Sequence, residues 1–459
     1  MSVLQREEYI QVRPQRVISD ASFSGTIMHQ YLVPSNRRVD LSRSYYEINL
    51  KVRAGGVAAE DQALGRAGFG LSNNPASVLF NSGYFEINNK QVSRLNHLPQ
   101  SNTVLRLTGS DGPENHSVGS ENPITPVTSL IHRAYVTEQY SYIFDQSTIP
   151  PTSDVVLGSF LTSPLEYKRI QNVLKSGFNL QQDENTLILP FPFYMQDAPE
   201  ALPGSTTLTT NLQVDQLWRN MLFNTDTDRA GNVQSFQTIP TANSLHADVK
   251  DVILWLYTYE SQTISPSMVF NSEYVNISST LESLPSNQLR TQINVPENTH
   301  RVMFGFFNNQ IADTTVDSAY PSCVAANTLK RFRVTYNGQQ LPATEYNFSP
   351  SIYTGGGAER NTNFRKLDGK RAYSDYVRVV TGGGMSGTLL SFDEWANSPI
   401  FVFDVSKNGN DVSNQLLLDV QYDEKGDNDV LWIGSMHKKE LEIQYGANMQ
   451  IQEVAVSSI

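Results

Sequence analysis

Two β-hairpins of one kind, a second pair of echoed segments at nearly the same offset, and about eight strand-like runs in each half predict an all-β protein. The expected architecture is two tandem jelly-roll β-sandwiches, a double jelly roll, with short helices in the inter-strand loops. The hairpins are Phe85-Glu-Ile-Asn-Asn-Lys-Gln-Val92 and Arg333-Val-Thr-Tyr-Asn-Gly-Gln-Gln-Leu341. Asn88-Asn89 and Asn337-Gly338 tolerate the positive φ of a type I′ turn, and alternating apolar residues lead into each. Gly338 lies 249 positions after Asn89. The second echo, Val33-Pro-Ser-Asn-Arg-Arg-Val39 against Val295-Pro-Glu-Asn-Thr-His-Arg-Val302, is offset by 262. Two echoes at nearly one offset argue for one β unit built twice.

The chain has 459 residues, enough for two domains that each bury a core. Its 28 Gly, 22 Pro, 21 Tyr and 21 Phe suit a turn-rich β protein. The net charge of −12 is spread without a Lys/Arg block, which speaks against sequence-specific or coating contact with nucleic acid and leaves room for a shell around it. Cys323 is the only cysteine, so neither an intrachain disulfide nor a cysteine metal cluster can form. No apolar run approaches the roughly 20 residues of a membrane span, and residues 1–30 lack the apolar core of a signal peptide. The sequons at Asn115, Asn276 and Asn347 are therefore read as incidental.

Residues 1–30 read as a polar N-terminal arm. The first jelly roll is placed at 31–260. Its strands include Ser44 to Arg53, Val78 to Phe80, the Phe85 to Val92 hairpin, Thr186 to Phe193, Thr206 to Val214 and Asp248 to Glu260. Residues 108–126 read as a long loop, and Asp154 to Gly177 as a helix split at Pro164. A linker at 261–266 leads to a second jelly roll at 267–446, followed by a tail at 447–459. The second roll's strands are Gln288 to Val295, His300 to Phe307, Phe332 to Tyr336, Tyr376 to Val380, Pro399 to Asp404, Leu416 to Tyr422 and Glu440 to Tyr445.

Chemical motifs do not survive inspection. Asp375 to Val380 running into Gly382-x-Gly384-x-x-Gly387, with Asp404 ending a later strand, imitates a dinucleotide fingerprint. That fingerprint needs a helix between two strands of a parallel sheet, and no βαβ succession surrounds it; a Gly-rich inter-strand loop is the better reading. The histidines at 29, 97, 116, 132, 246, 300 and 437 are isolated, without a His-x-His pair for a cupin-type metal. Nucleophile-elbow and P-loop motifs are absent. Asp393, Glu394, Asp427 and Asp429 read as solvated loop charges, and Trp218, Trp255, Trp395 and Trp432 as packing residues. No catalytic residue, metal or cofactor is expected.

The order of segments resembles the double jelly-roll major capsid proteins of the polinton, virophage and adintovirus group of double-stranded DNA viruses. The resemblance rests on Pro34 to Leu50, then Val78 to Phe80 with the Phe85 hairpin. It continues through Val295 to Phe306, Val334 to Pro342, and Ser391 to Trp395 leading to Ile400-Phe-Val-Phe-Asp404. It implies a virion structural protein without enzymatic activity. Three copies, six jelly rolls in all, would form a pseudo-hexameric capsomer that tiles an icosahedral shell around the genome. Its partners would be itself, neighbouring capsomers, penton and minor capsid proteins, and in some members an internal membrane; assembly would occur in the host cytoplasm or nucleus.

Bulky residues in or beside inter-strand segments, which a monomer would expose, are the candidate trimer or shell contacts: Phe306, Phe307, Tyr320, Phe348 and Tyr353. Two rival readings stand beside this one. A two-domain β-sandwich carbohydrate-binding protein would draw on the many Tyr and Asn residues. An enzyme would use the Gly382 loop and show nucleotide-dependent stabilisation.

Overall fold

The structure is a computed structural model. It describes residues 7–18, 23–54, 68–71, 79–108, 185–193, 201–215, 222–227, 233–238, 245–261, 265, 267–308, 329–348, 367–381, 395, 399–406, 414–422, 429–448 and 450–458. The first half supplies β1 (Glu7–Val12), β2 (Thr26–Leu32), β3 (Arg37–Ala54), β4 (Gly68–Leu71), β5 (Phe80–Ile87), β6 (Lys90–Leu95), helix α1 (Leu98–Leu107), β7 (Asn185–Pro190), β8 (Thr207–Val214), β9 (Leu222–Thr227), β10 (Val233–Thr238) and β11 (Leu245–Glu260). The second supplies β12 (Val269–Ser283), β13 (Gln288–Asn294), β14 (Thr299–Asn308), β15 (Leu329–Tyr336), β16 (Gln339–Asn347), helix α2 (Leu367–Val380), β17 (Ile400–Asp404), β18 (Gln415–Tyr422), β19 (Asp429–Tyr445) and β20 (Ile451–Ser458).

Both halves are wired alike. The first pairs β1-β11-β3-β7 in one sheet and β2-β8-β5-β6 in the other; the second pairs β12-β19-β14-β17 and β13-β18-β15-β16. Numbered along each roll, leaving out β4, β9, β10 and β20, the eight strands run 1-8-3-6 and 2-7-4-5 in both, which is a jelly roll. The strands β10-β9-β4 form a separate three-stranded sheet.

Alternation explains the layers. In β18 the residues Leu416, Leu418, Val420 and Tyr422 point into the sandwich while the residues between them are less buried. In β5 the same period buries Gly83, Phe85 and Ile87, and Phe80 is buried on the far side of a register shift. The first core gathers Tyr46, Ile48, Phe85, Leu189, Phe191 and Leu254; the second gathers Phe304, Phe306, Phe332, Phe401 and Phe403.

The echoed segments occupy matching places. Both hairpins join strand four to strand five of their roll, and Asn88, Asn89, Asn337 and Gly338 all have positive φ. Each first turn residue is fastened twice to the start of strand seven. The Asn88 N–H donates to the Thr207 carbonyl at 2.8 Å, and the Thr207 N–H to Asn88 Oδ1 at 2.7 Å. The Asn337 N–H donates to the Gln415 carbonyl at 3.0 Å, and the Gln415 N–H to Asn337 Oδ1 at 3.0 Å. The second echo forms the connection from strand two to strand three in each roll, with the Val33 N–H donating to Thr206 O (2.9 Å) and the Val295 N–H to Asn414 O (2.8 Å).

Three expectations are corrected. Residues 1–30 are not a free arm, because β1 pairs with β11 from Glu7↔Tyr259 to Val12↔Leu254, and β2 pairs with β8. A polar edge strand, Glu-Glu-Tyr-Ile-Gln-Val, hides its alternation because only one of its faces meets the core. The tail likewise contains β20, which takes the side of β19 from Lys439 to Tyr445 that β14, ending opposite His437, leaves open.

The strand expected at Tyr376 to Val380 is the end of α2. Gly369, Ala372 and Tyr376 are buried at helical spacing, while Lys370, Ser374 and Arg378 are exposed. The helix expected over Asp154 to Gly177, the loop 108–126, the Gly382 to Gly387 loop, Trp218 and Cys323 lie outside the described residues.

Candidate functional site

The two features that stand out on the folded chain are the join between the rolls and the outer faces of their sheets. The join between the rolls is built around α1, which follows the fifth strand of the first roll. Leu98, Pro99, Gln100, Ser101, Asn102, Val104 and Leu105 are all buried, so every described side chain of the helix is covered. Pro99 is tolerated in the first turn, where its missing N–H has no intrahelical partner to lose.

The face carrying Ser101, Val104 and Thr108 lies on the 1-8-3-6 sheet of the second roll. Trp432 Nε1 donates to Ser101 Oγ at 3.0 Å, and Thr108 Oγ1 sits 3.9 Å from Met303 Sδ. Gly305 has no side chain where α1 crosses; a Cβ there would lie 3.2 Å from Val104 Cγ2. Beside the helix, the Tyr274 hydroxyl donates to the Val92 carbonyl (2.8 Å), Ser93 Oγ to Asn276 Oδ1 (3.2 Å), and Ser279 Oγ to the Asn96 carbonyl (3.0 Å). Farther along, the Tyr445 hydroxyl donates to the Gly204 carbonyl at 2.9 Å. Burial pushes both tyrosine hydroxyls well above their ordinary range.

The outer face of the corresponding sheet in the first roll is aromatic. Directly opposed residues share a face, so Glu7, Tyr259 and Arg38 form one row, Tyr9, Tyr257 and Asp40 the next, and Gln11, Trp255 and Tyr45 the third. The Tyr9 ring lies 5.2 Å from Tyr257 and 5.7 Å from Tyr45, and Tyr45 stacks on Trp255 at 6.5 Å. Trp255 Nε1 donates to Glu47 Oε2 at 2.7 Å, and Arg43 Nη1 to the Tyr257 hydroxyl at 2.7 Å. At its edge Glu7, Arg38, Asp40, Arg43, Tyr257, Tyr259 and Ser261 line a cleft of about 420 Å³. Tyr9 remains 44% exposed.

The residues expected at subunit contacts are placed otherwise. Phe306 is 2% exposed, and Phe307 and Phe348 are 0% exposed within the single chain. Phe306 packs edge-on to Phe332 (6.3 Å) and Phe348 lies 6.2 Å from Phe401, so the second roll's own core covers both. The Phe307 ring lies across Gly305. Their place inside strands and beside the sandwich core, rather than at loop tips, is why a monomer does not expose them. Tyr320 and Tyr353 lie outside the described residues.

Nor does the described part of the nucleotide-like motif suit a dinucleotide site, because Asp375 to Val380 is helix rather than strand. Among the described residues no three His, Cys, Asp or Glu side chains gather as metal ligands, and no helix is long and apolar enough to cross a membrane. What sequence reasoning missed is α1 as the clamp and the two outward tryptophans, Trp432 and Trp255. The signal was there: each is a large residue at an outward position on the last strand of a roll.

With the wiring and the join established, comparison with solved structures can be read. The PBCV-1 VP54 chain fitted into a cryo-EM reconstruction of the virophage Sputnik aligns at a TM-score of 0.52 and 10% identity, covering 100% of this chain and 98% of that one. The fold is the double jelly roll. The major capsid protein of mavirus aligns at 0.47 and 8% identity, over 98% of this chain and 90% of that one. The Faustovirus major capsid protein aligns at 0.48 and 11%, over 96% and 91%. No family model and no curated protein matches the sequence.

Proposed function

We propose that this chain is a major capsid protein, a structural subunit without catalytic activity. Three copies would form a pseudo-hexameric capsomer that tiles an icosahedral shell around a double-stranded DNA genome. The observation that carries this reading is the tandem pair of identically wired rolls held by a buried join, a fold shared over essentially the whole length with the PBCV-1 chain set into a virophage reconstruction. The ordered sequence segments from Pro34 to Asp404 support it independently. Two rolls per chain give a trimer six similar units, and heterologous contacts between them can close a ring. The acidic balance would keep unassembled subunits soluble. The subunit would reside in the virion, after assembly in the host cytoplasm or nucleus, beside penton and minor capsid proteins.

Size-exclusion chromatography with light scattering, followed by electron microscopy of the purified chain, tests it. The expected result is a dilution-resistant trimer with a six-lobed outline. A stable monomer would overturn the reading, and a monomer that binds glycans would replace it with a carbohydrate-binding protein.

A further inference from the structure

The join inside one chain is a template for the join between chains. In the second roll, strand three meets strand eight at Val302↔Ser435, and three residues before Ser435 comes Trp432, which receives α1. In the first roll the echoed residue Val39 meets Thr258, and three residues before Thr258 comes Trp255. The two tryptophans are therefore counterparts, on the outer face of the same sheet in each roll. Their surroundings differ. Trp432 is fully buried beneath α1. Trp255 is only partly buried, spends its N–H on Glu47 of its own sheet, and has no described helix above it.

The helices differ in the complementary sense. Where the described side chains of α1 are all buried, α2 packs on β16 and β17 and leaves Lys370, Ser374 and Arg378 exposed as one stripe at i, i+4 and i+8. Its inner side is fixed by Tyr376 against Trp395 and by the Tyr346 hydroxyl donating to Asp375 at 2.7 Å. Arg378 is 73% exposed at its side chain and pairs with Asp375 of its own helix at 3.2 Å. Among the described residues one helix is clamped and one is not, and the aromatic face of the first roll keeps Tyr9 exposed and Trp255 partly so, with Tyr45 and Tyr257 beneath them only 8% and 6% exposed.

We propose that the outer face of the first roll around Trp255, Tyr45, Tyr257 and Tyr9 is the seat for a second copy of this chain, whose α2 lies there as α1 lies on Trp432. The contact is heterologous: the helix of each roll sits on the sheet of the next, alternating within and between chains until the ring closes. Charge fits the pairing, since the stripe brings Lys370 and Arg378 to a face bearing Glu7, Asp40 and Glu47 against its own Arg38 and Arg43, the latter engaged with Tyr257. The inference rests on the capsomer reading and names the surface that the reading needs.

Two variants test it in the full chain. Lys370→Glu with Arg378→Glu spoils the helix stripe, and Glu7→Lys with Tyr9→Lys spoils the seat; all four positions are exposed. Each variant alone should sediment as a monomer where the unaltered chain is a trimer, a rise of about 100-fold or more in the dissociation constant, with unchanged thermal melting. Mixed one to one they should associate again, because an intact helix then meets an intact seat and the acidic helix meets the basic seat. Should the seat variant melt early, hydroxyl-radical footprinting decides: Tyr9 and Trp255 must be protected in the unaltered trimer relative to the monomeric helix variant, and equal labelling overturns the proposal. A trimer that neither variant disturbs also overturns it while leaving the capsomer reading intact. A monomeric unaltered chain defeats the capsomer reading itself.

Discussion

The two rolls share one wiring and fill it with different chemistry. In the first, His29 is buried between the sheets: its Nε2–H donates to the Val252 carbonyl at 2.8 Å, just past the point where β1 stops pairing with β11. Its ring stands edge-on to Tyr46 at 5.5 Å, and Tyr46 stacks on Phe191 at 6.2 Å. His29 Nδ1 has no protein partner. In the second roll the corresponding space is a block of rings: Phe332 lies 4.1 Å from Phe401, stacked at 12°, with Phe304 and Phe403 edge-on to each other at 6.0 Å. The same strand order therefore does not depend on one set of core residues. It depends on where the turns fall and which strand edges they bring together, while the core sets how strongly and under what conditions each roll holds.

The comparison breaks most visibly at Phe332. Its ring is shared by Phe304 (5.4 Å), Phe306 (6.3 Å), Phe401 and Phe403 (6.4 Å), so Phe332→Ala removes the centre of the block and leaves a cavity among rigid neighbours. The expected cost is about 3–5 kcal/mol, measured by urea unfolding. Phe85→Ala in the first roll, whose ring touches Phe191 at 5.4 Å and Phe193 at 6.4 Å, should cost less because the smaller cluster can close in. Equal losses would mean that the two cores are mechanically alike.

Acid sharpens the contrast next. Burial lowers His29 to about 4 against its ordinary 6.5, so the folded first roll keeps it neutral while the unfolded chain binds a proton below 6.5. That stability is fully present above pH 6.5 and is lost as pH falls from 6.5 toward 4, on the order of 3 kcal/mol in all. His437, at the third-strand edge of β19 in the second roll, is lowered to about 4 chiefly by burial and then by Lys439. Thermal melts at pH 7 and pH 5 should show a loss that His29→Phe diminishes by its own share, leaving the shares of His437 and of His97, which burial also lowers. A pH dependence untouched by His29→Phe would place the titration elsewhere.

How much of this was legible follows from the same contrast. The hairpins, the echoed connections and the strands with one apolar face, such as β3, β11 and β18, were readable because side-chain period and turn chemistry are local. The polar edge strands β1 and β20 were not, since an edge needs only one apolar face and takes its place from its neighbour's open hydrogen bonds. The end of α2 misled because Tyr376-Val-Arg-Val-Val380 is rich in the aromatic and β-branched residues that strands favour, and only the longer spacing of Gly369, Ala372 and Tyr376 reveals the helix. The candidate contact residues were misjudged because Phe306, Phe307 and Phe348 are bulky, and bulk alone does not tell a core position from an exposed one. Strand register placed Trp255 on the last strand of its roll at the position Trp432 holds in the other.

The smallest effect tests the repeat at its most local. Asn88 and Asn337 each hold a left-handed conformation, φ 49° and 46°, and each side chain accepts the N–H that opens strand seven of its roll. Replacing either with Ala places a Cβ-bearing, non-bonding residue at positive φ and frees that backbone donor, a loss of about 1–2 kcal/mol. Replacing either with Gly relieves the backbone and removes only the hydrogen bond, so Asn→Gly should recover part of the loss at both sites. Chemical denaturation of the four single variants reads this directly. If the two turns perform one task, the Ala costs match and the Gly recoveries match. A cost at Asn88 with none at Asn337 would show that Gly338 already frees the second hairpin from its asparagine, and that the two turns keep their shape without keeping their energetics.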